Sequence, residues 1–263
     1  MKKTLIALAV AASAAVSGSA MAWNANSTGG TVSLSGILTP VTKDTPWEVK
    51  TGNAVTGLDE KIQKGQKEVS IAVKSAIPVL GIRTRTAEPF QGREGISPQI
   101  SFNGAIDTSK FEVGKTALTL DVMDSGSNKI GSLTTKITAG ALLSWKDDKG
   151  RGNYYSLSFI NSKGEVFYGG LPANTDPNGA LDIAQVKSIA PVIFPGSMDN
   201  FTDQGTVAQG KRSASIGNGA KFSAFYASGI EQGNTIKITL DQAVSGGNSV
   251  QWKAFLPISV SYQ

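Results

Sequence analysis

Residues 250–263 read VQWKAFLPISVSYQ, and apolar side chains occupy every second position of this final run. A β-strand places successive side chains on opposite faces, so the pattern predicts a long strand with one apolar face. That face consists of Val250, Trp252, Ala254, Leu256, Ile258, Val260 and Tyr262. The preceding apolar strand, 235–240, is expected to pair with one side of the run. Its other side is expected to be covered either by an early strand of the chain or by another molecule, because folded proteins avoid long open edges.

The first 22 residues have the three parts of a secretory signal peptide. Lys2 and Lys3 give the positive start, residues 5–16 the apolar stretch, and Ala20-Met21-Ala22 the cleavage site. The apolar stretch is too short to cross a bilayer, which argues against an N-terminal membrane anchor. We therefore expect an exported protein whose mature chain begins at Trp23.

Residues 23–40, here called the N-terminal extension, contain a second alternating pattern. One face of this predicted strand carries Gly30, Val32, Leu34, Gly36 and Leu38. Glycine at two facing positions weakens a strand on its own but allows close approach to another backbone. The extension is thus predicted to pair closely with an open edge such as that of the final run. The groove residues predicted to receive it are Trp252, Leu256, Ile258, Val260 and Tyr262.

The composition argues against catalysis and nucleic-acid binding. The 263 residues include no histidine and no cysteine, which removes the commonest general base, the commonest metal ligand and every thiolate. No cofactor or metal is expected, and the protein is not expected to be an enzyme. The net charge of +5, or +3 without Lys2 and Lys3, comes from scattered basic residues that form no phosphate-binding block.

Two short motifs have alternative chemical interpretations. Ser144-Trp145-Lys146 resembles part of a Ser/Lys pair, but strand alternation explains it better. Asp147-Asp148-Lys149-Gly150 could bind a hard cation, yet Asp followed by Gly is more typical of a hairpin turn. Neither motif supports a catalytic site.

Most of the mature chain is predicted to form short strands at the spacing of a β-sandwich or barrel. The strands are predicted at 69–73, 99–102, 117–122, 131–137, 154–160, 165–168, 220–226 and 235–240. Hairpin turns are predicted at 92–95, 125–128, 161–164 and 217–219. A helix is predicted at 180–190, stopped by Pro191, and a weaker one at 56–64. The predicted helix at 180–190 lies in an irregular insertion, residues 172–205.

Six stretches of the mature chain carry a family resemblance. They are Gly30-Thr31-Val32-Ser33-Leu34 with Gly36; Trp47-Glu48-Val49-Lys50 with Gly52; Phe167-Tyr168-Gly169-Gly170-Leu171; Ala227, Gly229-Ile230 and Gly233-Asn234-Thr235-Ile236; Gln242-Ala243-Val244; and Gln251-Trp252 through Pro257 to Tyr262. Together they resemble the subunits of bacterial chaperone-usher fimbriae, in particular the FaeG-like group of major subunits and adhesins. The insertion after Leu171 departs from that group by its shorter length.

This resemblance implies an incomplete immunoglobulin-like β-sandwich at residues 41–263, lacking its last strand and completed by donor-strand exchange. It also implies a homopolymer of identical subunits in a cell-surface fimbrium. A periplasmic chaperone and an outer-membrane usher would assist assembly, and host-cell glycans would be the receptor.

Sugar binding generally needs an aromatic face and convergent polar groups. The candidates are Trp145, Asp147, Arg151 and Tyr154. Core packing is an equal alternative for the two aromatic residues, and a solvated turn is the favoured alternative for Asp147 and Arg151. The insertion is the second candidate region, although Phe194 and Phe201 could instead tether it to the sandwich.

A different function remains open at this point. The chain could be a self-complete secreted or periplasmic carbohydrate-binding β-sandwich, in which the early strand folds back onto the final run. Such a module would stay monomeric, whereas a fimbrial subunit would polymerise.

Overall fold

The computed structural model describes residue 36 and residues 44–173, 176, 178–247 and 249–263. Residues 1–43 and 44–263 form two separate units, and the first is described only at Gly36, which is exposed. The predicted signal peptide and the donor residues Gly30, Val32, Leu34 and Leu38 lie outside the described residues. The account below concerns the second unit.

Short strands dominate the described residues. Their bounds are β1 Trp47–Thr51, β2 Glu68–Ala72, β3 Ile77–Thr84, β4 Phe90–Gln91, β5 Pro98–Ser101, β6 Lys115–Met123, β7 Lys129–Asp147, β8 Gly152–Leu157, β9 Val207–Arg212, β10 Ala220–Ile230, β11 Thr235–Leu240, β12 Lys253–Ala254 and β13 Ser259–Tyr262. One α-helix, α1, spans Ile183–Ile193, and a 3₁₀ turn spans Thr108–Lys110. No helix in this part of the chain has the length and apolar character needed to cross a bilayer.

The long strand β7 organises the sheet. Its first half pairs with β6 and β11, and its second half pairs with β10 and β8, so both parts of the fold share one backbone. The main path runs β1-β3-β10-β7-β11-β2, with β12 attached to β6, β4 to β10, and β9 parallel to β8. A separate two-stranded sheet joins β5 and β13. The predicted all-β sandwich with a short helix is confirmed.

The strand β10 is buried on both faces because two apolar clusters flank it. Ala224 and Tyr226 belong to the main core, together with Leu80, Ile82, Leu118 and Leu143. Phe225 and Ala227 point the other way and pack against α1 through Val186, Ala190 and Ile193. The helix therefore forms a third layer over β7 and β10.

The start of α1 is fixed by a capping box. Asp182 accepts a hydrogen bond from the backbone N–H of Gln185, and the Gln185 side chain accepts one from the N–H of Asp182. The prediction that Pro191 stops the helix was wrong, since Pro191 lies inside it. The last turn is kept because Ile193 is fully buried in the second cluster and the N–H of Phe194 donates to Ala190.

Gly81 in β3 allows the end of this helical layer to approach the sheet. A Cβ at that position would lie 2.5 Å from the ring of Phe194, well inside contact distance. Phe194 is itself buried against Phe225 and Ala227 in the second cluster. It therefore tethers the insertion to the sandwich.

Several other sequence predictions were wrong in detail. Residues 56–64 form no helix, and 165–168 form turns with isolated bridges rather than a strand. The turn at 125–128 does join the paired strands β6 and β7. The turns at 92–95, 161–164 and 217–219 do not connect paired neighbours, because β4 pairs with β10 and β9 with β8.

The final run departs most from its prediction. It is divided into β12 and β13, and β11 pairs with β2 and β7 instead of lying beside it. The physical reason is that both edges of β11 are already paired, one of them with the first half of β7 and the other with β2.

Candidate functional site

The side chains of the final run alternate in exposure from Ala254 onward, whereas Val250, predicted on the inward face, is exposed. Six residues pack against the main core and are half-buried: Trp252, Ala254, Leu256, Ile258, Val260 and Tyr262. None of the six is fully buried. Val122 and Ile100, which face Ala254 and Val260 across the ladders, are only 0% and 5% exposed. The inward side chains of the final run are therefore more exposed than the residues of β5 and β6 that face them.

Hydrogen bonds show which way the backbone of β13 faces. Ser97 and Gln263 exchange two bonds, N–H to O, at 2.9 and 3.1 Å. Because bonding alternates along an antiparallel pair, the backbone groups of Ser259 and Ser261 also point to β5. Those of Ile258, Val260 and Tyr262 point to the opposite side.

That opposite side has no paired strand among the described residues, where β13 pairs with β5 alone. Residues 255–258, between β12 and β13, also lie outside every ladder. Along one edge, half-buried apolar side chains thus occur together with backbone groups that no other described residue pairs with. Such an edge can accept an extended segment, since main-chain bonds give affinity and alternate side chains give specificity.

Phe255 is a large apolar residue on the outward face of the final run, the face that points away from the core. Its side chain is 66% exposed, and Lys253 Nζ lies 5.9 Å from its ring centroid. Sequence reasoning treated only the inward residues as a site and missed it. The same alternation that identified the inward face was the signal that could have found it.

The four candidate receptor residues lie on one hairpin, residues 145–154, here called the receptor hairpin, which strands β7 and β8 form with a turn between them. Trp145 faces Asn153 in the ladder, donates its indole N–H to the Asn153 side-chain oxygen at 3.0 Å, and packs against the main core. Tyr154 faces Ser144, one position away, and therefore projects from the opposite face. The structure does not bring Trp145 and Tyr154 together.

Asp147 and Arg151 do come together, at the turn. One Asp147 oxygen accepts the backbone N–H groups of Lys149 and Arg151, and the other accepts Arg151 Nε at 2.7 Å. Partial burial opposes ionisation of Asp147, but these bonds from Arg151 lower the pKa of its carboxyl group. The pair holds the turn, as the hairpin interpretation predicted. Among the described residues, no group of three acidic side chains could hold a metal ion.

Tyr154 lies beside α1. Lys187 Nζ is 3.5 Å from its hydroxyl and 4.9 Å from its ring centroid. Lys187 also lines a cavity of about 420 Å³ with Met198, Phe201, Thr202 and Asp203. Phe201 is held there by an edge contact with Phe225 at 5.3 Å. These lining residues all belong to the insertion, which the sequence identified only as a region.

Comparison with known proteins gives matches over the whole chain. A family model described as fimbrial, major and minor subunit matches residues 1–263. K88 fimbrial proteins AC and AB of Escherichia coli are each 32% identical to the chain, covering all of both sequences. The F41 fimbrial protein of Escherichia coli is 30% identical, again over the full length of both.

Proposed function

The chain belongs to the family of major and minor fimbrial subunits, and we propose that it polymerises by donor-strand complementation. It is a structural subunit of a cell-surface fimbria and not an enzyme. In the proposed assembly, the N-terminal extension of one copy lies in the groove of the next. The full-length match to fimbrial proteins favours this function over a self-complete sugar-binding module.

The observation that carries the proposal is the combination on one edge of half-buried apolar side chains and backbone groups that have no partner among the described residues. Ile258, Val260 and Tyr262 supply both. Burying a large aliphatic side chain contributes roughly 1.5–3 kcal/mol, so Val32, Leu34 and Leu38 together supply several kcal/mol before the cost of ordering the extension.

The proposed contact joins two different surfaces of the same chain. A head-to-tail contact of this kind does not close on itself and generates a filament. It therefore accounts for a homopolymer without any second interface.

The same edge needs cover before assembly, since an open apolar strand edge is a site of non-specific pairing. We propose that a periplasmic chaperone covers the groove residues first and that an outer-membrane usher exchanges it for the next subunit. The support is physical, because in the proposed assembly the edge of β13 stays open in each copy until a donor strand covers it.

Host-glycan binding is the second part of the proposal. The receptor hairpin provides Tyr154 with Lys187 on one face and Trp145 on the other. The cavity lined by Lys187, Phe201 and Asp203 lies on the Tyr154 side and offers both aromatic and charged groups. A glycan array probed with purified fibres tests this part, and fibres that bind no glycan would reduce the protein to a shaft subunit.

A rearranged chain tests the assembly. Residues 23–40 are deleted from the N-terminus and appended after Gln263 through a short flexible linker. We expect a monomer with a higher midpoint of thermal unfolding than the unrearranged chain. The matched control carries Val32→Asp and Leu34→Asp in the appended segment and should lose the gain. If the rearranged chain is no more heat-stable than the original, donor-strand complementation is ruled out.

A further inference from the structure

We propose that the incoming extension lies antiparallel to the final run in a single register, in which Ile37 of a second copy faces Phe255. This inference rests on the proposed donor-strand assembly and adds the direction and alignment of the two strands. It follows from the sizes of the side chains on both faces and from the backbone groups of β13.

The inward face gives the first argument. In this register the facing pairs are Gly30 with Tyr262, Val32 with Val260, Leu34 with Ile258, Gly36 with Leu256, and Leu38 with Ala254. The smallest residues of one strand thus face large residues of the other at three of the five positions. Alternating large and small partners fills space between facing elements without voids or overlap.

The outward face gives an independent argument. Phe255 is the large exposed apolar side chain on the outward face of the final run. The outward residues of the extension are Thr31, Ser33, Ser35, Ile37 and Thr39, of which Ile37 alone is apolar. Pairing Ile37 with Phe255 makes an aromatic and β-branched cross-strand pair, a favourable combination. The same register places Ser33 beside Ser259 and Thr31 beside Ser261, which are hydroxyl pairs.

The backbone of β13 is compatible with this alignment. The groups of Ile258, Val260 and Tyr262 point away from β5, so they can exchange hydrogen bonds with Leu34, Val32 and Gly30. Pro257 is two residues before Ser259, so its backbone groups point to the same side as those of Ser259, toward β5. Its missing N–H therefore removes no bond from the proposed joint.

Neighbouring registers lose these matches. An antiparallel shift of two residues in one direction places Ile37 beside Lys253 and Gly36 beside Ala254, two small residues that leave a void. The opposite shift places Ile37 beside Pro257, Pro40 beside Ala254 and Thr39 beside Phe255, so the aromatic ring loses its apolar partner. Parallel alignments that cover the groove residues place Ile37 beside Ser259 or Ser261 and leave Phe255 exposed.

Disulfide mapping tests the register, and the absence of native cysteine makes the chain suitable for it. Phe255→Cys is combined in turn with Thr31→Cys, Ser33→Cys, Ser35→Cys, Ile37→Cys and Thr39→Cys in the full-length chain. Fibres are collected from cells expressing each double variant with its secretion partners, oxidised, and run on denaturing gels without reductant. Facing residues of an antiparallel pair lie about 4.5–5.5 Å apart at Cα, within disulfide range.

We expect Phe255→Cys with Ile37→Cys to give an oxidation-dependent ladder of covalent multimers on the gel. The intensity of its bands should be at least about five-fold higher than with any of the other four partners. A second pair, Ser33→Cys with Ser259→Cys, should give the same ladder and fixes the antiparallel direction. It also keeps the test informative if Phe255→Cys lowers the yield of fibres.

The outcomes separate this inference from the proposed function. Fibres that cross-link through another partner of Phe255→Cys overturn the register and leave donor-strand assembly intact. An intramolecular disulfide without a ladder means that the extension folds back on its own chain, which overturns both. Fibres that cross-link through none of the five partners also overturn both.

Discussion

The indole N–H of Trp47 donates to the backbone carbonyl of Ile96 at 2.7 Å, across 49 positions of the sequence. Trp47 begins β1 and is buried, with edge contacts to Phe90 and Phe167. Ile96 immediately precedes Ser97, which pairs with Gln263 beyond the end of β13. One hydrogen bond therefore connects the first strand of the sandwich to the base of the proposed groove.

Replacing Trp47 with Phe should destabilise the fold by about 1–3 kcal/mol, because the buried Ile96 carbonyl loses its partner. Equilibrium denaturation of the purified protein measures the change. Trp145→Phe is the matched control, since Trp145 also donates its indole N–H but to Asn153 at a half-buried position. Equal losses for the two variants would contradict the importance assigned to the Trp47 contact.

Gly81→Ala should destabilise the protein by about 1–3 kcal/mol through overpacking. The added methyl group would overlap the ring of Phe194 and push the helical layer off β3. Thermal unfolding measures the effect. Gly210→Ala in β9 is the control, because no atom lies within 4 Å of its added Cβ, and it should change little. A neutral result for Gly81→Ala would mean that the layer can move freely.

Stability should decrease as the pH falls through the titration of Glu231. Burial opposes its charge, but hydrogen bonds from the Thr138 hydroxyl and Lys115 ammonium lower the pKa of the Glu231 carboxyl group below its usual 4.5. A depressed pKa in the folded state adds stability above pH 4.5 that is lost on acidification. The midpoint of unfolding measured from pH 7 to pH 3 checks this, and Glu231→Gln should flatten the dependence. An unchanged slope in that variant would assign the acid sensitivity to other groups.

Val260→Asp should abolish assembly of fibres at the cell surface. The substitution places a charge on the wall that the donor strand would cover, where burial of an unpaired carboxylate is strongly unfavourable. Ser261→Asp is the control because its side chain lies on the exposed face of the same strand. Electron microscopy and heat extraction of surface protein give the readout. Normal fibres from Val260→Asp would exclude this wall from the joint.

Glycan binding should depend on only one face of the receptor hairpin, because Trp145 and Tyr154 project in opposite directions. We expect Tyr154→Ala to reduce binding of fibres to a glycan array about ten-fold or more, which corresponds to a loss of about 1.4 kcal/mol. Trp145→Phe should preserve binding. The opposite result would move the receptor site to the Trp145 face, away from Lys187 and the insertion.

The sequence predicted the fold class and most strands because half-buried strands alternate visibly, as in β6 and β11. It missed the middle of β7, residues 138–143, which are all buried and show no alternation. It also ended the helix too early, since burial of Ile193 keeps a turn that Pro191 would otherwise disfavour.

The inward face of the final run was easier to predict than the placement of the receptor candidates. Inward positions of the final run follow from a period of two, and each of the five groove residues indeed lies against the core. The receptor residues were chosen by chemical type within one hairpin. Their separation onto two faces depends on the ladder register of Trp145 with Asn153 and Ser144 with Tyr154, which composition does not encode.

The bond between Trp47 and Ile96 also has a mechanical consequence. In a fibre joined through the proposed groove, tension enters a subunit at β13 and leaves it through the chain that precedes β1. Trp47 and the Ser97–Gln263 pair connect these two points by a short route through Ile96 and Ser97, directly before β5. The hairpin at 145–154 and the helix α1 lie outside that route. A fibre stretched by flow would thus carry part of its load along this short route, away from the surface proposed to hold the receptor.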